Sequence, residues 1–148
     1  MEFTMRTIGR HHSFAVHRER QTPIQASRSQ AIGMVEIYPE FAGGLKDIEV
    51  LSYIYLLYAF HASSGYTLQV KPFLDNQEYG IFATWYPYRP SPIGISIVKL
   101  LFCRENFLTN EGIDTLDGTP LLDIKPYVPD FDLRTEVRVG WYETRSEK

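Results

Sequence analysis

The residues from Gly80 to Pro129 carry six of the chain's nine prolines and four of its ten glycines. That stretch restricts the backbone more than any other. Within it, Pro87-Tyr88-Arg89-Pro90-Ser91-Pro92 fixes φ at three positions and removes three N–H donors. Each proline also holds the residue before it in extended geometry. Arg89 precedes Pro90, so its guanidinium is presented from a stiff arm. Ile93 to Phe102 then alternates, with Ile93, Ile95, Ile97 and Leu101 on one face and Lys99 interrupting it. That pattern predicts a strand. Asp117-Gly118-Thr119-Pro120 is a tight-turn signal. Leu121 to Ile124 is a short apolar run whose one carboxylate, Asp123, reads as buried. A Pro-rich loop between two strands is the ordinary outcome of such a sequence. A preformed loop-and-strand wall for a small ligand is the sharper one.

At 148 residues the chain suits a single domain, and 44% hydrophobic content is enough to fill a core. The formal charge of −3 weighs against an extensive nucleic-acid surface, because phosphate binding requires clustered Lys and Arg. Contact with a nucleic acid therefore needs a local patch or both copies of an oligomer. The single cysteine, Cys103, excludes an intrachain disulfide and a Cys-rich zinc site, and it reads as a small core hydrophobe. A lone cysteine fits a reducing, cytoplasmic setting. The longest apolar run, Tyr53 to Phe60, is too short to span a bilayer, and no signal peptide is evident.

In chain order, Arg6 to Phe14 reads as a first strand with Gly9 as a bulge. His11, His12 and His17 lack the carboxylate or cysteine spacing of a metal site, so they read as exposed or hydrogen-bonded. Ala31 to Tyr38 is a strand, Pro39 to Gly44 a loop, and Leu45 to Leu51 a short helix. Tyr53 to Phe60 is a central strand, apolar on both faces and ended by His61. Tyr66 to Lys71 and Gly80 to Trp85 are further strands. Cys103 to Asn106 is a turn, and Thr135 to Tyr142, with Val137, Val139 and Trp141 alternating, a last strand. The expected fold is mainly β: a single-sheet barrel-like domain with one short helix, over 1–148 with a motif-bearing core of about 7–129.

Two segments, Gly80 to Leu100 and Gly112 to Pro129, resemble the paired signatures of the TsaA-like, or TrmO, family. The first matches at Gly80, Phe82, Ala83, Thr84, Pro87, Arg89, Pro90, Pro92, Ile93, Gly94 and Ser96. The second matches at Gly112, Asp114, Asp117 through Pro120, and Asp123 through Tyr127. The resemblance implies a β-barrel that binds S-adenosyl-L-methionine as a homodimer. It also implies a tRNA methyltransferase whose acceptor is N6 of threonylcarbamoyladenosine, next to the anticodon. Carried over residue by residue, the cofactor contacts fall on Ala26, Ser27 and Arg28, on His61 and Ala62, on Ile95, and on Glu111, Gly112, Ile113 and Asp114. Two positions depart from the pattern: Ile24 and Trp85 stand where the family has arginine. Trp85 cannot donate a bidentate fork, but it can stack on adenine or face a sulfonium.

A Rossmann glycine pattern and a P-loop are both absent, so the cofactor geometry must be different. Methyl transfer needs no metal; holding the acceptor in line supplies much of the rate. Arg89 is a candidate for meeting a phosphate or carboxylate of the acceptor. Asp117, Asp123 and His61 are candidate bases, with Asp117 also explicable as a turn former and Asp123 as a partner of Lys125 or Arg89. A non-catalytic S-adenosyl-L-methionine-binding module and a small-molecule methyltransferase are the alternatives.

Overall fold

The computed structural model describes residues 1–13, 31–72, 75–113 and 115–145. Their β-strands are β1 (Gly9–Ser13), β2 (Ile32–Ile37), β3 (Tyr53–Ala59), β4 (Gln69–Val70), β5 (Tyr79–Gly80), β6 (Ile93–Arg104), β7 (Phe107–Glu111) and β8 (Pro120–Pro126). Six of them close a barrel in the order β1-β2-β7-β6-β3-β8, and β4 and β5 form a separate two-stranded ribbon. Every barrel pairing is antiparallel. The seam that closes the barrel, between β1 and β8, pairs Gly9 with Leu121 and Arg10 with Pro120.

Pleating sends alternate residues into the barrel. Val35 and Ile37 of β2, Ile54, Leu56 and Tyr58 of β3, Val98 and Leu100 of β6, Leu108 of β7 and Leu121 of β8 form the core. Each such aliphatic side chain contributes roughly 1.5–3 kcal/mol by leaving water. The mainly β barrel expected from the sequence is the observed one, with β3 central between β6 and β8.

Several local expectations are corrected. Gly9 is no bulge: it pairs in register with Ile37 on one side and Leu121 on the other. Its bare Cα is needed because a Cβ there would run into the backbone carbonyl of Glu36. The helix expected over Leu45 to Leu51 is replaced by two 3-10 turns, Pro39–Leu45 and Ile48–Val50. The α-helix that does form is one turn, Pro129–Asp132, started by its proline. Of Tyr66 to Lys71 only Gln69 and Val70 pair as a strand, and Tyr66 and Leu68 are exposed. After β5 the chain enters a 3-10 turn at Ile81–Ala83 instead of continuing extended to Trp85. The last strand is absent: Gly140–Arg145 forms a 3-10 turn, with Val137 and Val139 exposed.

The face of β6 is also inverted relative to an apolar-in reading. Gly94 and Val98 are buried and Ser96 half-buried, while Ile95, Ile97 and Leu101 point outward. Space inside explains this. Tyr58 of β3 occupies the barrel across from β6, and a Cβ on Gly94 would collide with its ring. The Tyr58 hydroxyl reaches Ser96 Oγ at 2.8 Å. A small residue is required at each point where the tyrosine lies.

Candidate functional site

The loop between β5 and β6 is braced from within. Thr84 Oγ1 donates to the Ile81 carbonyl at 2.9 Å, and the Tyr86 N–H donates to Thr84 Oγ1 at 3.3 Å. Arg89 Nη1 donates to the Thr84 carbonyl at 2.8 Å and the Tyr86 carbonyl at 3.1 Å. The same guanidinium lies 6.0 Å from the Phe82 ring centroid, within cation–π reach. The Tyr88 carbonyl accepts from the Thr67 N–H, and the Leu68 carbonyl from the Ile81 N–H, which tie the loop to the β4–β5 ribbon. Arg89 therefore holds this loop in shape; its Nη1 is committed to the backbone. The result is a rigid turn that displays aromatic rings. Phe82 is 78% and Trp85 54% exposed, with Tyr86 and Tyr88 beside them at 5.5 Å between ring centroids.

The other candidates occupy three places. His61 and Ala62 are exposed directly after β3. They adjoin the end of the braced loop, because the Phe60 N–H donates to the Pro92 carbonyl at 2.8 Å. Ile95, on the outer wall of β6, lies opposite Leu57 of β3. At the end of β7, Glu111 pairs with Ile32 and Lys99, and the Gly112 N–H donates to the Ala31 carbonyl at 2.9 Å. Ile113 is buried in the core, so its side chain packs the barrel. Asp117 is exposed in the turn before β8, where the Gly118 N–H donates to the His11 carbonyl. Ala26, Ser27, Arg28 and Asp114 lie outside the described residues, as do Ile24 and His17.

Asp123 is not buried as the apolar run implied: its side chain is 47% exposed and pairs with Lys125 Nζ at 3.0 Å. It shares with Met5, Arg6, Leu57, Ile93 and Leu122 a concavity of about 500 Å³ on the outer wall of the barrel. His12 Nε2 and Arg10 Nε meet Glu36 Oε2 at 2.9 and 2.8 Å, and these contacts hold the Glu36 carboxyl below its usual range. Among the described residues no cluster of His, Cys, Asp or Glu is arranged to hold a metal. Cys103 Sγ points to the Glu105 carbonyl at 3.7 Å, and burial pushes the thiol up, as suits a packing residue.

A polar chain runs through the barrel interior and links the two signature segments. From Ser96 it passes to Tyr58, whose ring meets His11 edge-on at 5.4 Å between centroids. His11 Nδ1 is 2.7 Å from Thr115 Oγ1. His11 is fully buried, and burial lowers its pKa to about 4, with His12 adding to the effect. His11 Nε2 and Asn110 Oδ1 are buried with no hydrogen-bond partner among the described residues.

Two residues that the sequence assigned to a last strand, and not to the site, also touch the braced loop. Trp141 donates its indole N–H to the Ala83 carbonyl at 2.9 Å and stacks on Tyr79 at 4.9 Å. Tyr142 stacks on Trp141 at 3.9 Å. Burial pushes the Tyr142 hydroxyl up, and the Trp85 N–H and Arg89 partly offset this. The only sequence signal was an aromatic pair following Gly140, and it was masked by the apparent alternation before it.

Together these features define a closed antiparallel β-barrel protein whose exposed chemistry sits on an arginine-braced aromatic loop and on neighbouring strand ends. The chain belongs to the tRNA-methyltransferase O N-terminal domain family, whose pattern matches residues 11–133. It is 52% identical to a probable S-adenosyl-L-methionine-binding protein of Pyrococcus abyssi over 130 residues, covering 87% of this chain and 71% of that protein. It is 36% identical to mouse tRNA (adenine(37)-N6)-methyltransferase over 91 residues, covering 60% of this chain and 21% of the mouse protein. The crystal structure of TrmO from Pseudomonas aeruginosa superposes with a TM-score of 0.78 at 34% identity, over 97% of this chain and 62% of that one. The chain thus spans less than two thirds of the solved protein. Among the described residues no helix is long and apolar enough to cross a membrane.

Proposed function

We propose that this chain binds S-adenosyl-L-methionine on the braced loop and acts as a methyltransferase on tRNA, at N6 of threonylcarbamoyladenosine beside the anticodon. The observation that carries the reading is the Arg89 brace. It braces a loop that exposes four aromatic rings, Phe82, Trp85, Tyr86 and Tyr88, of which Trp85 stands at a position the resemblance assigns to the cofactor site. These residues fit the cofactor: aromatic faces suit both an adenine ring and a sulfonium, which the ring quadrupole attracts. The Trp85 face takes over the place where the family has arginine.

When bound, S-adenosyl-L-methionine supplies an electrophilic methyl group. The chain's own part is positioning. The aromatic rings would hold the cofactor, with His61 and Ala62 after β3 and Ile95 on β6 as the neighbouring contacts. Ala26, Ser27, Arg28, Glu111, Gly112, Ile113 and Asp114 complete the assignment, Ile113 through packing. Asp117, exposed beside the second signature, is the carboxylate we assign to accept the acceptor's N–H proton. Arg89 acts as a positioning residue, through the loop.

The acceptor and cofactor sites are completed by a second copy of the chain. In support, Ile95, Ile97, Leu101 and Phe102 expose apolar side chains along β6, interrupted by Lys99 and flanked by Tyr53 of β3. Ile97→Glu puts a charge among these side chains without touching the core. It is expected to convert a dimer to a monomer in sedimentation velocity. A parent chain that sediments as a monomer, or a variant that remains dimeric, would remove the dimer from the proposal.

Two observations favour a second reading, a non-catalytic S-adenosyl-L-methionine-binding module or a methyltransferase acting on a small molecule: the tryptophan at position 85 and the net charge of −3. Calorimetric titration with S-adenosyl-L-methionine and S-adenosyl-L-homocysteine, followed by methyl transfer to unmethylated tRNA, separates them. Saturable binding with methylation of tRNA is expected. Binding without transfer to tRNA or retention of it at low salt favours the second reading, and no binding of either compound rejects both. Trp85→Ala is expected to weaken binding roughly tenfold or more, the scale of one aromatic stacking contact; unchanged affinity would take Trp85 out of the site.

A further inference from the structure

The chain after the last barrel strand returns to the braced loop at Trp141 and Tyr142, beyond the residues that the family pattern matches. The contact is specific. One indole N–H meets one loop carbonyl, Ala83, at 2.9 Å. The Trp141 ring lies between Tyr79 and Tyr142, with interplanar angles of 19° and 28°. Tyr79 belongs to β5, which feeds the loop, and Ala83 ends the 3-10 turn just before Trp85. Buried or crowded backbone carbonyls need partners, and this loop's are taken in succession: Ile81 by Thr84, Ala83 by Trp141, Thr84 and Tyr86 by Arg89, and Tyr88 by Thr67. Three of these four partners, Thr84, Arg89 and Thr67, lie on or beside the ribbon and loop; Trp141 alone comes from beyond the last barrel strand.

We infer that Trp141 is a positioning residue for the ligand site: it clasps the Ile81–Ala83 turn from the C-terminal side and so sets the direction in which Trp85 presents its ring, with Tyr142 as the outer wall. The ligand half of this inference rests on the proposed function; the clasp itself does not. The barrel core contains neither residue, so removing the clasp should loosen the loop and leave the barrel intact. The chain's two tryptophans, Trp85 and Trp141, both lie here, so the tryptophan emission reports on this region alone.

The test compares the parent chain with Trp141→Phe and Trp141→Ala. Two quantities are read: amide exchange at residues 81–86 without ligand, and S-adenosyl-L-homocysteine affinity by calorimetry and by quenching of the remaining Trp85 emission. Trp141→Ala is expected to speed exchange in the loop, weaken binding about tenfold, as for loss of one hydrogen bond with its stack, and leave barrel amides and the melting temperature close to the parent's. Trp141→Phe keeps the stack and loses the indole hydrogen bond, and is expected to recover part of the affinity. Loop exchange and affinity both unchanged in Trp141→Ala would overturn the inference, as would exchange that rises equally across the barrel. If the parent binds no S-adenosyl-L-homocysteine, the proposed function falls, and the exchange comparison alone decides the clasp.

Discussion

Gly9→Ala is expected to cost this barrel roughly 3 kcal/mol, the upper part of the range for overpacking a tight site. Gly9 pairs with Ile37 of β2 and with Leu121 of β8, so it sits at the seam that closes the barrel. That seam is thin: Gly9 and Arg10 are its register pairs with β8, and the Ile8 and His11 N–H groups donate to the Leu121 and Thr119 carbonyls on either side. A methyl group on Gly9 would strike the Glu36 carbonyl and press on the Ile37 Cα at 3.1 Å. Those are backbone atoms within a ladder, and no rotamer change can move them aside. Relief requires β1 to separate from β2, which gives up ladder hydrogen bonds on both sides. For a chain of this length the loss corresponds to a fall in melting temperature of about 10 °C. Gly43→Ala is the control, because nothing lies within 4 Å of a Cβ at that position. Equal melting temperatures for the two variants would show that the seam relaxes freely and would refute this account.

The same kind of close approach separates what the sequence made legible from what it did not. The alternation in Ile93 to Phe102 correctly announced a strand, yet alternation defines two faces and does not say which one is inside. The answer lay in Tyr58, contributed by a strand far away in sequence, whose ring fills the space that the isoleucines would otherwise occupy. The proline-rich loop was legible as rigid because proline acts on its own backbone. The role of Arg89 was less so: a guanidinium able to meet a phosphate or carboxylate also donates, through Nη1, to two loop carbonyls. Loop carbonyls seeking donors leave no mark in a sequence. Trp141 escaped for the reason opposite to that of the loop: its alternation with Val137 and Val139 imitated a strand, while its actual partners, Tyr79 and Ala83, are known only from the fold. The signature residues, by contrast, were recognisable by identity, and the barrel they imply is the one observed.

Acid is expected to unfold this protein through His11. The side chain is fully buried, and its pKa lies at about 4 against an ordinary value of 6.5. A group with a depressed folded pKa binds fewer protons in the native state than in the unfolded chain between those two values. Unfolding therefore takes up a proton, and stability rises with pH across the window. The contribution is fully present above about 6.5 and is lost as the pH falls toward 4, at up to about 1.4 kcal/mol per pH unit. Across the whole window it is worth at most roughly 3 kcal/mol. The geometry gives the cause: Thr115 offers His11 Nδ1 a hydroxyl rather than a countercharge, Tyr58 presents a ring, and His12 next door would repel a second positive charge. Glu36 adds a smaller slope of the same sign at lower pH, since its carboxyl is held below the usual range by His12 and Arg10 on an exposed surface. Urea melts at intervals from pH 4 to 8 measure the dependence, and His11→Gln isolates the histidine, because an amide keeps a hydrogen-bonding group toward Thr115 but does not titrate. The parent is expected to lose stability steeply below pH 6.5 and the variant to stay nearly flat down to about pH 5, where its carboxylates begin to titrate. Parallel curves would mean that His11 is not the group whose protonation opens the barrel, whatever their absolute heights.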